Sequence, residues 1–245
     1  MEKYKKFQVL SFKFNENEVD LSSLEEKLGV VFKNKDLLKE SLTHRSYLNE
    51  NPSWGLNNNE RLEFLGDAVL ELAVTEMLFE KYPNYSEGDL TSIRSALVNY
   101  QMLSDVAKEI ELNDYILLSR GEAKDTGKAR DVILANAFEA VLGAIYLDAG
   151  YETMKKFVDL YVMKRLKEVM EKGLYKDPKS LLQEIVQEKM KLTPNYQVLS
   201  EEGPDHAKIF TVGVFFDGKL IAKGEGSSKQ EAEVDAAKEA LRLLN

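Results

Sequence analysis

The sequence predicts an all-α domain followed by a small α+β domain of order α-β-β-β-α. Three observations predict it. Up to about residue 170 the apolar residues recur with helical spacing between polar breaks. A polar segment closed by a proline, EKGLYKDP at 171–178, then interrupts the pattern. Beyond it three strand-like runs appear, the last two separated by Asp217-Gly218, a strong short-range hairpin signal. The expected boundaries are an extension at 1–20, the helical domain at 21–170, a linker at 171–177 and the second domain at 178–245.

In order, residues 21–29 and 34–47 read as short helices, and NENPSWGLNNN (49–59) reads as loop because it holds five Asn, a Pro and a Gly. A long helix is expected at about 60–80, ending before Pro83. Ser86 with Asp89 three residues on has the capping-box pattern for a helix at about 87–99. The pattern stays helical over 101–110. Residues 119–130, SRGEAKDTGKAR, read as an exposed loop. Apolar helices are expected at about 131–148 and 152–170. In the second domain a helix at about 179–190 precedes strands at 196–201, 208–216 and 219–224, and a helix at about 228–243 closes it.

Composition bounds the function. A chain of 245 residues, 44% hydrophobic and 31% charged, is ordinary globular material, neither collagen-like nor wholly disordered. No apolar run in the sequence approaches the roughly 18 residues of a membrane span, so no membrane is expected. Charges break the apolar stretch of MEKYKKFQVLSFKFNENE, which therefore lacks the apolar core of a signal peptide. With no Cys, disulfides, thiolate nucleophiles and Cys-based zinc sites are excluded, and a cytoplasmic location is expected. His44 and His206 match no His-based metal spacing. The net charge of −9, taken alone, argues mildly against a nucleic-acid binder.

The stretch NERLEFLGDAVLE (59–71) carries the chemistry. At about 100° per residue, Leu62, Leu65, Val69, Leu72 and Ala73 share one side and form a core stripe. Glu60, Glu63, Asp67 and Glu71 fall opposite, within about 80° of one another. A solvated face usually mixes Lys among its acids, and this one has none. The stripe is either a charged solvent face or a site for a hard cation such as Mg²⁺ or Mn²⁺. ILANAFEAVLGAIYL (133–147) favours the cation. It is apolar almost all round, its Ala135, Ala137, Ala140, Gly143 and Ala144 allow close helix packing, and Glu139 sits in its middle with Asn136 one turn before. A buried carboxylate needs a partner, and no Lys or Arg lies within a turn of it along the chain. Glu87, at the start of its helix, also favours the helix dipole and is weaker evidence.

NERLEFLGDAVLE, preceded by SLTHRSYLNE (41–50), resembles the signature of the bacterial ribonuclease III family. SEG at 86–88 and ILANAFEA at 133–140 fall where that family has its other acidic sites, and the C-terminal part resembles a double-stranded-RNA-binding domain. The likeness spans roughly 21–244. It implies an all-α endonuclease domain that cuts double-stranded RNA with Mg²⁺, for which Mn²⁺ can substitute. It also implies a homodimer with one active centre per subunit. By the family's motif, Glu63, Asn136 and Glu139 are the metal ligands, Asp67 and Glu139 the essential acids, and Glu60 and Glu87 the secondary acidic positions. Products with 5′-phosphate and 3′-hydroxyl ends are implied, as is a role in processing ribosomal, messenger, transfer and other structured RNA precursors. The family usually has Asp where this chain has Asn136. An amide oxygen still ligates Mg²⁺ but brings no charge.

In the second domain three contacts suit double-stranded RNA, whose shallow minor groove offers 2′-hydroxyls and phosphates. By the resemblance, Gln183 and Glu184 on the first helix meet 2′-hydroxyls. The loop GPDHAK (203–208) presents His206. The start of the last helix, GSSKQ (226–230), offers Ser228, Lys229 and its N-terminus to phosphate. Here too the chain departs from the family, with Ser227 and Gln230 where basic residues are frequent. Residues 176–245 hold 10 basic and 12 acidic residues, net −2, which predicts weaker binding and a shallower salt slope. Ala232, Ala236 and Ala240 are expected to pack on the sheet. Phe64 lies about 40° from Glu60 on the acidic side of its helix. Solvent poorly explains an aromatic there, and the resemblance implies that it enters a pocket on a partner subunit. Two rival functions stand beside the nuclease: a double-stranded-RNA-binding protein without catalysis, and a metal phosphohydrolase of small substrates.

Overall fold

A computed structural model describes residues 21–204 and 208–244. The expected extension at 1–20 and His206 lie outside the described residues. The chain forms two compact units, residues 21–70 with Leu103–Phe157, and residues 71–102 with 158–244.

The first unit begins with α1 (Ser22–Leu28), stopped by Gly29 in the left-handed region at φ 65°. The single helix expected at 34–47 is two, α2 (Lys35–Ser41) and α3 (Arg45–Glu50). The chain between them pairs with a distant segment instead of coiling: His44 N donates to the Leu117 carbonyl at 3.0 Å and Leu117 N to that of Leu42 at 2.8 Å. His44 then caps α3, its Nδ1 accepting from Ser46 N at 3.3 Å. The Asn-rich loop also anchors the next helix. Asn59 N donates to the Thr43 carbonyl at 2.9 Å, and the Asn58 side chain accepts from Glu60 N at 3.3 Å.

α4 (Glu60–Lys81) starts in this unit, and α7 (Lys128–Ala149) is its buried centre. Ten side chains or glycines of α7, among them Ala135, Phe138, Ala140, Val141 and Ala144, are buried. This corrects one expectation: α7 is long and apolar enough by composition to cross a membrane. Its burial in the unit marks it as a core helix. The loop expected over 119–130 is shorter, since a 3-10 turn occupies Glu122–Lys124 and α7 begins at Lys128.

The second unit holds the end of α4, then α5 (Glu87–Val98) with the expected capping box between Ser86 and Asp89. α6 (Tyr100–Glu109) runs from this unit into the first, and α8 (Tyr151–Tyr161) runs back. The helix expected over 152–170 breaks after α8 into a 3-10 turn at Met163–Arg165 and α9 (Leu166–Glu171).

From α10 (Pro178–Met190) onward the predicted α-β-β-β-α order is present: β1 (Asn195–Glu202), β2 (Ile209–Phe216), β3 (Lys219–Gly226) and α11 (Lys229–Leu244). The Asp177 side chain accepts from Lys179 N and Ser180 N, with Pro178 at the first helical position. The sheet is antiparallel in the order β1-β2-β3. Asp217 and Gly218 both take positive φ, 47° and 76°, as the tight hairpin requires. Ala232, Ala236 and Ala240 are fully buried. A Cβ on Gly224 would lie 2.0 Å from Ala236 N, so α11 rests directly on the backbone of β3. Leu182, Val186, Val214, Phe216 and Ala222 complete this core.

Candidate active site and nucleic-acid interface

The acidic helix meets α7 through glycine. A Cβ on Gly66 would lie 1.7 Å from the Glu139 carbonyl oxygen, and one on Gly143 would lie 2.3 Å from the Leu62 carbonyl oxygen. No side chain fits at either position, so the two backbones touch. Glu63 and Asp67 stand within a turn of Gly66 on α4. Glu139 is at the crossing on α7, and Asn136 precedes it by one turn. The crossing thus lays the stretch of α4 that carries Glu63 and Asp67 along the stretch of α7 that carries Glu139, within one unit.

It also corrects the expected burial. Leu62, Val69 and Ala73 are buried as predicted, but Leu72 is 50% exposed and Leu65 only half-buried. Gly66, Leu70 and Val74 are buried instead. The buried arc is turned by roughly 80° toward the acids, because Gly66 draws that side of the helix against α7. Glu63 consequently sits half-buried in the arc, while Glu60, Asp67 and Glu71 remain exposed. Glu139 and Asn136 are half-buried, not fully enclosed as the apolar pattern suggested.

Burial pushes the Glu63 carboxyl above its ordinary range, and the negative charges of Glu60 and Asp67 add to that rise. Glu60 has one cation near it, the exposed Arg45 guanidinium at 3.6 Å. Among the described residues, no three His, Cys, Asp or Glu side chains converge to hold a metal between them. The set taken from the sequence is instead two carboxylates and an amide. Three hard oxygens and an excess of negative charge fit Mg²⁺ or Mn²⁺ by donor chemistry. A cation there would relieve the repulsion that now burdens Glu63. Glu87 lies in the other unit, exposed at the start of α5, and accepts from Thr91 Oγ1 at 3.1 Å.

Phe64 is 81% exposed. In the C-terminal domain Gln183 and Glu184 are exposed on α10, with Glu184 paired to Lys176 at 2.5 Å. Ser228 Oγ accepts from Glu231 N at 3.1 Å and so caps α11. Lys229 follows it, its Nζ 5.6 Å from the Phe210 ring centre. Two features escaped the sequence reading. Gly66 had a visible signal, an isolated glycine inside a long helical pattern, which often marks close packing. Glu201, which pairs with Lys229 at 3.0 Å, had none, because the pairing spans 28 residues of chain.

Comparison with known proteins finds matches for both parts of the chain. Residues 34–166 match a family model described as ribonuclease-III-like, and 178–244 match the double-stranded RNA binding motif. Ribonuclease 3 of Borreliella afzelii is 48% identical over 234 residues, 94% of both chains. That of Carboxydothermus hydrogenoformans is 48% identical over 225 residues, 92% of this chain and 96% of its own. The nuclease domain of ribonuclease III from Campylobacter jejuni, a solved structure, is 43% identical with a TM-score of 0.54. It covers 59% of this chain and 97% of its own, and is described as having structural flexibility in a region involved in dimer formation.

Proposed function

The chain belongs to the ribonuclease III family and is an endoribonuclease with a double-stranded-RNA-binding domain; from that premise we propose that it cleaves double-stranded RNA by Mg²⁺-dependent hydrolysis. The observation that carries the reading is the glycine-mediated contact of α4 with α7. It sets the stretch of α4 that carries Glu63 and Asp67 against the stretch of α7 that carries Glu139. Glu63, Asn136 and Glu139 would hold the cation, with Mn²⁺ as a substitute for Mg²⁺. When bound, such a cation supplies a more acidic water and neutralises charge on the phosphate. Asp67, exposed and one turn from Glu63, would accept a hydrogen bond from the attacking water and orient it. The products would carry 5′-phosphate and 3′-hydroxyl ends.

Exposed Phe64 supports a homodimer in which the ring enters the partner subunit. The proposed substrates are structured precursors of ribosomal, messenger and transfer RNA, met in the cytoplasm. The cysteine-free composition suits that reducing compartment.

The test uses the full chain and a long double-stranded RNA. EDTA should abolish cleavage and Mg²⁺ restore it, and Glu139→Gln should remove cleavage while double-stranded-RNA binding persists. Undiminished cleavage in EDTA overturns the metal dependence. Binding without cleavage at any Mg²⁺ or Mn²⁺ concentration makes the chain a non-catalytic RNA binder.

A further inference from the structure

On the RNA-binding domain, one acidic residue occupies the ground between two lysines. Glu201, near the end of β1, points one carboxylate oxygen at Lys229 Nζ at 3.0 Å and the other at Lys208 Nζ at 3.6 Å. Lys229 opens α11 and Lys208 is the last residue of GPDHAK (203–208), two of the three sequence segments expected to contact RNA. The lysines are 58% and 34% exposed and Glu201 is 37% exposed, so all three reach solvent on one patch. Lys229, and then Lys208, hold the Glu201 carboxyl below its ordinary range.

A phosphate and a carboxylate are both acceptors without a proton to give. They can share a lysine only while repelling each other. We propose that Glu201 is an affinity-setting residue that competes with RNA phosphates for Lys208 and Lys229 and so weakens double-stranded-RNA binding. The inference rests on the reading of residues 178–244 as an RNA-binding domain.

The pairs are surface contacts, individually weak, so they add little to folding. Their effect is larger on a polyanion, because each lysine released to a phosphate adds to the counterions displaced. In this domain, whose charge is net −2 over residues 176–245, the two lysines are a fifth of the ten basic residues. An arrangement of this kind favours release of product over tight retention.

The test is dsRNA binding by the full chain in EDTA, by fluorescence anisotropy across a salt series. Glu201→Gln should bind about threefold to tenfold more tightly than the wild type, with a steeper dependence of affinity on salt. Glu202→Gln removes the same charge one residue on and should change affinity less. The gain from Glu201→Gln should shrink when Lys229→Ala is already present. Equal gains from the two Gln variants would make the effect one of net charge and overturn the proposal. So would unchanged or weaker binding by Glu201→Gln; Glu201→Ala, with thermal melting as a check on folding, guards against a defect peculiar to Gln. Failure of the wild-type chain to bind double-stranded RNA at all would instead overturn the underlying reading of the domain.

Discussion

Gly66 on α4 and Glu139 on α7 meet backbone to side-chain-less backbone: a Cβ on Gly66 would lie 1.7 Å from the Glu139 carbonyl oxygen and 2.5 Å from its carbonyl carbon. The site and the core are therefore one construction. The contact that buries this arc of α4 is the contact that fixes where Glu63 and Asp67 stand relative to Glu139.

Gly66→Ala should accordingly destabilise the protein by about 3 kcal/mol or more, since overpacking against backbone cannot be relieved by a rotamer change. It should also depress cleavage by moving the two helices apart. Gly88→Ala is the contrast. Gly88 lies in the first turn of α5, where an added Cβ would find only Ser86 Oγ at 3.9 Å. Helix propensity alone then favours alanine there by up to about 1 kcal/mol. Urea denaturation of both variants, followed by circular dichroism, measures the difference. Equal stabilities would show that α4 and α7 have room to spare.

The sequence carried much of this. Helical period located α4 and α7, the capping box placed α5, and Asp217-Gly218 placed the hairpin, because each signal is local. What it missed depends on a facing element. The rotation of the buried arc on α4, which exposes Leu72 and draws in Leu70 and Glu63, is set by where Gly143 lies on another helix. The break between α2 and α3 is set by Leu117, more than 70 residues away in sequence. Thr43-His44-Arg45-Ser46 has the look of a helix start, but the continuous apolar spacing through it masked the stop. Glu139 was expected to be enclosed since α7 is apolar almost all round; it is half-buried.

His44 supplies a pH dependence of stability. Its partial burial lowers the imidazole pKa from the ordinary value of 6.5. In the fold its Nδ1 accepts from Ser46 N and lies 2.8 Å from Ser46 Oγ. A folded pKa below the unfolded one means that the unfolded chain binds the proton more readily. The contribution of the neutral ring is thus fully present above about pH 6.5 and declines as pH falls below that value. His44→Asn keeps a side-chain acceptor for the helix start and removes the titration. Urea midpoints between pH 8 and pH 5.5 should fall more for the wild type than for His44→Asn. Parallel curves would show that another group governs this range.

Phe64 offers a large apolar surface to solvent on the acidic side of α4, 81% of it exposed in the single chain. Burying an aromatic ring in a partner pocket is a common anchor of a protein interface. Phe64→Ala should raise the dissociation constant of the proposed dimer by about tenfold or more, and Phe64→Asp should do so more strongly by adding a charge to be desolvated there. Sedimentation velocity over a concentration series reads both. Monomer stability should be nearly unchanged, because the ring has little to lose within its own chain. A dimer indifferent to both substitutions would assign the interface to another surface.

Asn136 stands one turn before Glu139 on the face of α7 that meets α4. In the proposed site it contributes an amide oxygen where a carboxylate would contribute a charge as well. Asn136→Asp adds that charge to a half-buried position, where Coulomb attraction for a divalent cation is stronger than in bulk water. The Mg²⁺ concentration for half-maximal cleavage should fall by about tenfold or more in the Asp variant. If the carboxylate serves only to hold the cation, the two proteins should converge in rate once Mg²⁺ saturates. If it also orients the attacking water, the gap should persist at saturation and appear in kcat. Without metal the added anion stands one helical turn from Glu139, where like charges repel, so the variant should be less stable in EDTA than the wild type and regain stability on adding Mg²⁺. Mg²⁺ titrations of rate and of melting temperature separate these outcomes. Identical titrations for the two proteins would remove Asn136 from the ligand set and leave Glu63 and Glu139 to hold the cation.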